Sequence, residues 1–278
     1  MGRYDECIVN ATKSLEVNSQ AWIAYNNRAF CEQFTGNQTA AIKDYQVALA
    51  HDPTNAKAWN NLGNTQHDAG LLQEAVTSIS KALELDPTYY AANVNRGLTY
   101  LDLGKYNEAL DDFNHALEYS NIPEAYSGRG TAYYWLGMYD EAIVDLELAT
   151  QRMPNRPHAF CMLALTYFEV GRFQDSLNAA ETVNQIEPGC GGQRLLLTQA
   201  RSYYALGDYD QAIVYINKAF EIGPFIEGYY YRGIIYQAAG RNEEAINDLS
   251  IFLLSARNSD DYKEEIADAK ARLAKLKP

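Results

Sequence analysis

Apolar residues along this chain recur three or four apart in runs of about fourteen residues, which is helical rather than strand periodicity. The runs come in pairs, and a glycine stands between the two members of each pair, in the phrases FTGNQ, DAGLL, DLGKY, WLGMY, EVGRF, ALGDY and AAGRN. These glycines, from Gly36 through Gly70, Gly104, Gly137, Gly171 and Gly207 to Gly240, are thirty-three to thirty-six residues apart. A period of that length is the mark of a stacked repeat architecture. The pattern predicts helix, turn, helix, seven times over.

Two further rules hold in every repeat. Five residues after the glycine stands a small residue (Ala41, Ala75, Ala109, Ala142, Ser176, Ala212 and Ala245), and seven before it stands another (Ala29, Gly63, Gly97, Gly130, Ala164, Ala200 and Gly233). The central glycine supplies left-handed backbone to end the first helix, and the small residues let the two helix axes approach closely. Pro53, Pro87, Pro154, Pro188 and Pro224 follow second helices, where a missing N–H and a fixed φ stop one helix and prepare the next. Pro123 does the same slightly later in its repeat.

These residues resemble the tetratricopeptide repeat family, as Trp59, Leu62, Gly63, Gly70, Ala75, Ala82 and Pro87 illustrate in the second full repeat. The resemblance implies an all-α fold, a right-handed superhelical solenoid in which the first helix of each pair lines a concave channel. It also implies a non-catalytic protein–protein interaction scaffold that binds a peptide or protein segment in that channel. The expected organisation is a partial repeat, second helix only, at 1–21, then seven repeats over 22–259 (about 22–55, 56–89, 90–122, 123–156, 157–192, 193–225 and 226–259), then a capping helix at 260–278. Register puts Gly2 at the inter-helix glycine and Cys7 at the first small position, so the first helix of that partial repeat is expected upstream. Self-association through the uncapped half repeat is an accompanying expectation. At the other end, alternating charges in DDYKEEIADAKARLAKLKP suit a solvent-facing cap, and Phe252, in a slot that is mostly alanine, is expected to pack against it.

Comparison among the repeats exposes one correlated pair. Arg28, Arg96, Arg129 and Arg232 stand one residue before the small position of the first helix, and each such repeat has an aspartate on the second: Asp44, Asp112, Asp145 and Asp248. Repeats with Leu62, Leu163 or Gln199 in the arginine slot lack the aspartate. The correlation predicts structural ion pairs within repeats, charge-assisted contacts that fix register more than they add net stability.

The register of the resembling family turns Asn27, Asn61 and Asn95 into the channel at the same slot of three successive repeats, with Asn26, Asn60, Asn64 and His67 nearby. This row resembles the asparagine ladder of protein O-GlcNAc transferases, and amides, being both donors and acceptors, can grip a peptide backbone whatever its sequence. The alternative is that asparagine is simply a common solvent-facing residue here. From the fourth full repeat the same face offers Tyr134, Trp135, Met162, Leu165, Phe168, Leu197, Tyr204, Tyr230, Tyr231 and Ile234, an apolar and aromatic run of the kind that marks a binding surface. The lysine and asparagine clamp of the chaperone-binding branch of the family is not matched, because Asn26 and Asn60 occupy its first lysine slot.

Composition narrows the function classes. The net charge of −13 over 278 residues repels phosphate backbones, and Lys and Arg form no single strip, so nucleic acid is not an expected partner. No apolar run is long enough to span a membrane, so direct membrane insertion is not expected and a cytoplasmic location is. Cys7, Cys31, Cys161 and Cys190 form no CxxC pair, which favours reduced thiols over a disulfide framework or a zinc site. His51, His67, His115 and His158 form no HExxH motif, and the glycine-rich GCGGQ at 189–193 lacks the lysine of a phosphate loop, being instead the joint that absorbs two extra residues. No catalytic residue, metal or cofactor is expected, and the partner is an unidentified protein or peptide. The alternative function is the substrate-recruiting or regulatory part of a larger enzyme or membrane-associated complex.

Overall fold

A computed structural model describes residues 2–257 and 259–276. Residues 1, 258, 277 and 278, which belong to the expected segments 1–21, 22–259 and 260–278, lie outside the described residues. The described residues are helical and contain no strand. They divide into two compact units, 1–149 and 150–278.

The first unit holds α1 (Gly2–Val17), α2 (Trp22–Phe34), α3 (Gln38–His51), α4 (Ala56–Asp68), α5 (Leu72–Leu85), α6 (Tyr90–Asp102), α7 (Tyr106–Tyr119), α8 (Pro123–Trp135) and most of α9 (Tyr139–Arg152). The second holds α10 (Pro157–Glu169), α11 (Phe173–Ile186), α12 (Gly192–Ala205), α13 (Tyr209–Ile222), α14 (Ile226–Ala238), α15 (Asn242–Ala256), a 3₁₀ turn at Asp260–Tyr262 and α16 (Lys263–Leu276). Within the first unit each helix from α1 to α7 packs against its successor, and within the second each from α10 to α15 does; in the full repeats even-numbered first helices alternate with odd-numbered second helices.

The local chemistry explains this regularity. All seven inter-helix glycines have positive φ, from 70° at Gly104 to 82° at Gly36 and Gly207. At Gly70 the turn satisfies otherwise orphaned carbonyls: Gly70 N donates to His67 O and Leu71 N to Gln66 O, both at 2.8 Å. The small residues are demanded by contact. A Cβ added at Gly97 would lie 2.9 Å from the Phe113 ring, and one at Gly130 would lie 2.7 Å from Leu146 Cγ. Cores form around these approaches, such as Ala29, Ala41, Tyr45 and Leu62 in the first unit and Ala200, Ala212, Ile216 and Ile235 in the second. Phe252 is fully buried with Ala269 and Leu273 of α16, its ring edge-on to Tyr262.

The arginine–aspartate pairs are two-pronged. Arg96 Nε donates to Asp112 Oδ2 at 2.8 Å and Nη2 to Oδ1 at 2.6 Å. Arg28 with Asp44, Arg129 with Asp145 and Arg232 with Asp248 repeat that geometry. Each arginine also spends Nη1 on the second helix of the preceding helix pair: on Thr12 Oγ1 from Arg28, Ser80 Oγ from Arg96, Asn114 Oδ1 from Arg129 and Asn217 Oδ1 from Arg232. The fork therefore ties three helices. Its surroundings are dry enough for burial to raise the Asp112 carboxyl above its ordinary range despite the opposing hydrogen bond from Arg96.

The structure corrects the cysteine expectation. Cys7 and Cys31 form a disulfide, with Cα atoms 6.2 Å apart. Their 24-residue separation matches no metal or redox motif, but α1 packs on α2 and brings the two residues together across that contact. Cys161 and Cys190 are free thiols.

Candidate functional site

In each unit the first helices also touch one another, α2 to α4, α4 to α6 and α6 to α8 in the first, α10 to α12 and α12 to α14 in the second. That contact makes a continuous face from helices that are not adjacent in sequence.

On the first unit's face the amides largely bind one another. Asn95 Nδ2 donates to Asn60 Oδ1 at 2.9 Å, linking α6 to α4, and Asn60 Nδ2 reaches Asn61 Oδ1 at 3.5 Å. The rung thus joins Asn95 to the buried Asn60 and not to Asn61, its counterpart by repeat position. Asn27 is exposed and Asn64 half-buried. Asn26 Oδ1 is buried with no hydrogen bond, and His67 Nε2 contacts Asp102 Oδ2 at 2.8 Å. Trp135 is 42% exposed and lies flat on Tyr106 of α7, the centroids 5.5 Å apart and the planes 4° from parallel. Tyr134 is withdrawn: it is 7% exposed, against Trp135 and Tyr139.

The second unit's face is aromatic. Phe168 of α10 and Tyr231 of α14 sandwich the guanidinium of Arg201 from α12, which lies 4.4 Å and 4.2 Å from their ring centroids. Arg201 has neither a hydrogen bond nor an ion pair among the described residues, so its N–H groups remain unspent beside the two rings. Beside it, burial raises the Glu227 carboxyl above its ordinary value, an effect opposed by Arg201 and Arg194 and reinforced by Glu265 and Glu169. Tyr204 is half-buried against Tyr209. Tyr230 belongs to the C-terminal contact, its hydroxyl donating to Asp268 Oδ2 at 2.9 Å and its ring against Phe252. Met162 is 7% exposed, and Leu165, Leu197 and Ile234 are buried as well.

Tyr134 and Met162 are therefore corrections to the expected surface. One residue along a helix turns a side chain by about 100°, enough to move it from the open face into the seam between helices. Arg201 was missed, because a lone charged residue in a slot that varies between repeats carries no signal until Phe168 and Tyr231 are seen around it. No group of three or more potential metal ligands occurs among the described residues, and none of the described helices is long and apolar enough to cross a membrane.

Comparison with known proteins agrees with this geometry. Profiles described as tetratricopeptide repeat match residues 56–89, 79–111 and 197–250, one described as TPR repeat matches 35–70, and one described as anaphase-promoting complex, cyclosome, subunit 3 matches 135–219. No curated protein sequence matches the chain. Among solved structures, a chain of the APC/C heterotetramer Cut9-Hcn1 is similar at 16% identity and a TM-score of 0.70, over 99% of this chain and 53% of that one. The present chain thus spans about half the length of that relative. A tetratricopeptide repeat protein from Parabacteroides merdae ATCC 43184 is similar at 24% identity and a TM-score of 0.62, over 90% of this chain and 99% of that one. YrrB, described as having an unusual peptide-binding site, is similar at 22% identity and a TM-score of 0.52, over 64% and 91% of the two chains. At these identities the structural likeness speaks for the fold alone. Repeat period, left-handed turn glycines, alternating helix pairs and profile matches converge, and the chain belongs to the tetratricopeptide repeat family.

Proposed function

We propose that the chain is a non-catalytic protein-binding scaffold that holds an extended or helical segment of a partner against the aligned first helices of its second unit. The observation that carries this reading is Arg201, a guanidinium locked between Phe168 and Tyr231 with its N–H edge unspent. A planar cation immobilised in this way has little conformational freedom left to lose on binding, and it presents directional donors beside aromatic surface, the combination that dominates binding energy at protein interfaces. The description of YrrB as a peptide-binding repeat protein supports the same use of the fold. In the first unit, Trp135 on Tyr106 offers an exposed aromatic platform, and the exposed Asn27 and half-buried Asn64 offer amides to a backbone.

The test is capture from lysate with cross-linking mass spectrometry, in parallel for the parent chain and for Arg201→Ala and Tyr231→Ala. Cross-links concentrated on α10, α12 and α14, together with loss of the same proteins in both variants, are the expected result. Cross-links confined to second helices, with capture unchanged in the variants, would remove the assignment.

A further inference from the structure

A cavity of about 560 Å³ opens in the second unit between the end of α11, the start of α12 and α13, lined among others by Asn184, Gln199, Tyr215 and Lys218. Its position has a meaning that the repeats supply. In the fork-bearing repeats a guanidinium binds an aspartate 16 residues ahead and a polar side chain 15 or 16 residues behind. The same offsets from Gln199 reach Tyr215 ahead and Asn184 behind. The cavity therefore occupies the place that a guanidinium fills in four other repeats.

The other two repeats without the arginine put hydrocarbon in this slot, Leu62 and Leu163, both buried. Here neither solution is used. Gln199 is 2% exposed, lines the cavity, and its Oε1 is buried with no hydrogen-bond donor. A buried acceptor without a donor is unfavourable, and a donor entering from outside removes the penalty.

We propose that this cavity receives an arginine side chain from a partner protein, whose guanidinium takes the position held internally by Arg96 or Arg129 in their own repeats. The amide oxygens of Gln199 and Asn184 accept its N–H groups, and Leu195 and Leu196 line the path of its methylene stem. Tyr215 provides the aromatic face. Lys218 Nζ already lies 4.7 Å over that ring, which shows the ring accepts a cation; being exposed, Lys218 can swing aside. The corresponding arginine of the next repeat, Arg232, rests 3.7 Å over Phe220 in a similar way. The lining carboxylates of Glu181 and Glu221 and the net charge of −13 favour a cationic guest. The site is separate from the Arg201 face and does not depend on it.

The experiment titrates Nα-acetyl-arginine N-methylamide into the full ¹⁵N-labelled chain by NMR, with the lysine analogue as comparison. Saturable shifts at the Gln199 side-chain amide and at Asn184 and Lys218 are expected, with the lysine analogue about tenfold weaker because it lacks the planar fork. Gln199→Arg with Tyr215→Asp rebuilds the internal fork and should abolish the shifts. Gln199→Leu, which copies the residue of the closed repeats, should abolish them too, and decides the matter if the double variant does not fold. No saturable shift in the parent, equal response to both analogues, or undiminished binding in a folded variant would each overturn the proposal.

Discussion

Arg96 Nη1 donates to Ser80 Oγ at 3.0 Å across the step from one helix pair to the next, while the other prongs of the same guanidinium hold Asp112 within the pair. One side chain thus sets both the angle inside a repeat and the spacing between repeats. Removing Asp112 strands a largely desolvated guanidinium, so Asp112→Ala should cost about 3 kcal/mol, whereas Arg96→Leu with Asp112→Ala should cost less than that single change. Ser80→Ala should cost about 1 kcal/mol. Urea unfolding of the parent and these variants, with Arg96→Leu added to complete the cycle, checks the order, and strictly additive effects of the Arg96 and Asp112 changes would contradict it.

The Cys7–Cys31 disulfide closes a 24-residue separation at one end of the array. In an array whose repeats touch only their neighbours, a local staple protects local structure. Reduction, or Cys7→Ser with Cys31→Ser, should destabilise α1 and α2 by about 3 kcal/mol on the loop-entropy scale. Hydrogen exchange should accelerate over 2–34 and stay unchanged beyond α10. Uniform acceleration along the chain would argue against a local role.

Burial pushes the Cys161 thiol up to about 11, from an ordinary 9.0, with Cys190 adding to the effect. Maleimide or disulfide reagents at pH 8 should therefore label Cys161 slowly, with the rate climbing towards pH 11. The stability consequence has a definite sign. Between about pH 9 and 11 the unfolded chain loses this proton while the folded chain keeps it, so the contribution of Cys161 favours unfolding increasingly as pH rises through that window. Cys161→Ala should flatten that part of the stability profile.

The parallel rings of Trp135 and Tyr106 make Trp135 a fluorescence reporter as well as a contact. Once a partner segment is identified, Trp135→Ala or Tyr231→Ala should weaken its binding by about 2 kcal/mol, as loss of an aromatic anchor does, and Asn27→Ala by about 1 kcal/mol. Calorimetric titration distinguishes the two classes.

The periodic parts of the fold were legible because each depends on a single backbone or volume requirement: left-handed φ at Gly70, and contact distance at Gly97 against Phe113. The arginine–aspartate pairs were legible through their correlation among repeats. Their third prong was harder to see, since Thr12, Ser80, Asn114 and Asn217 are of three residue types at two offsets. The candidate site was less legible. Tyr134, Met162 and Ile234 are aromatic or aliphatic residues whose side depends on one step of helical register, and Asn95 pairs with Asn60 across repeats of equal length but unequal slot. Cys7 and Cys31 meet only because α1 packs on α2, a contact that residue spacing does not encode.

The fork also has a mechanical consequence. Hydrogen bonds in three directions resist sliding and rotation together, whereas the leucine at 62 makes contacts that permit small slips at little cost. In the first unit the steps held by Arg28, Arg96 and Arg129 should therefore be stiff and the step around Leu62 compliant. Under tension, or when a bound segment demands a change of curvature, strain within that unit should concentrate at the leucine step and leave the arginine-bound helix pairs to move as rigid blocks.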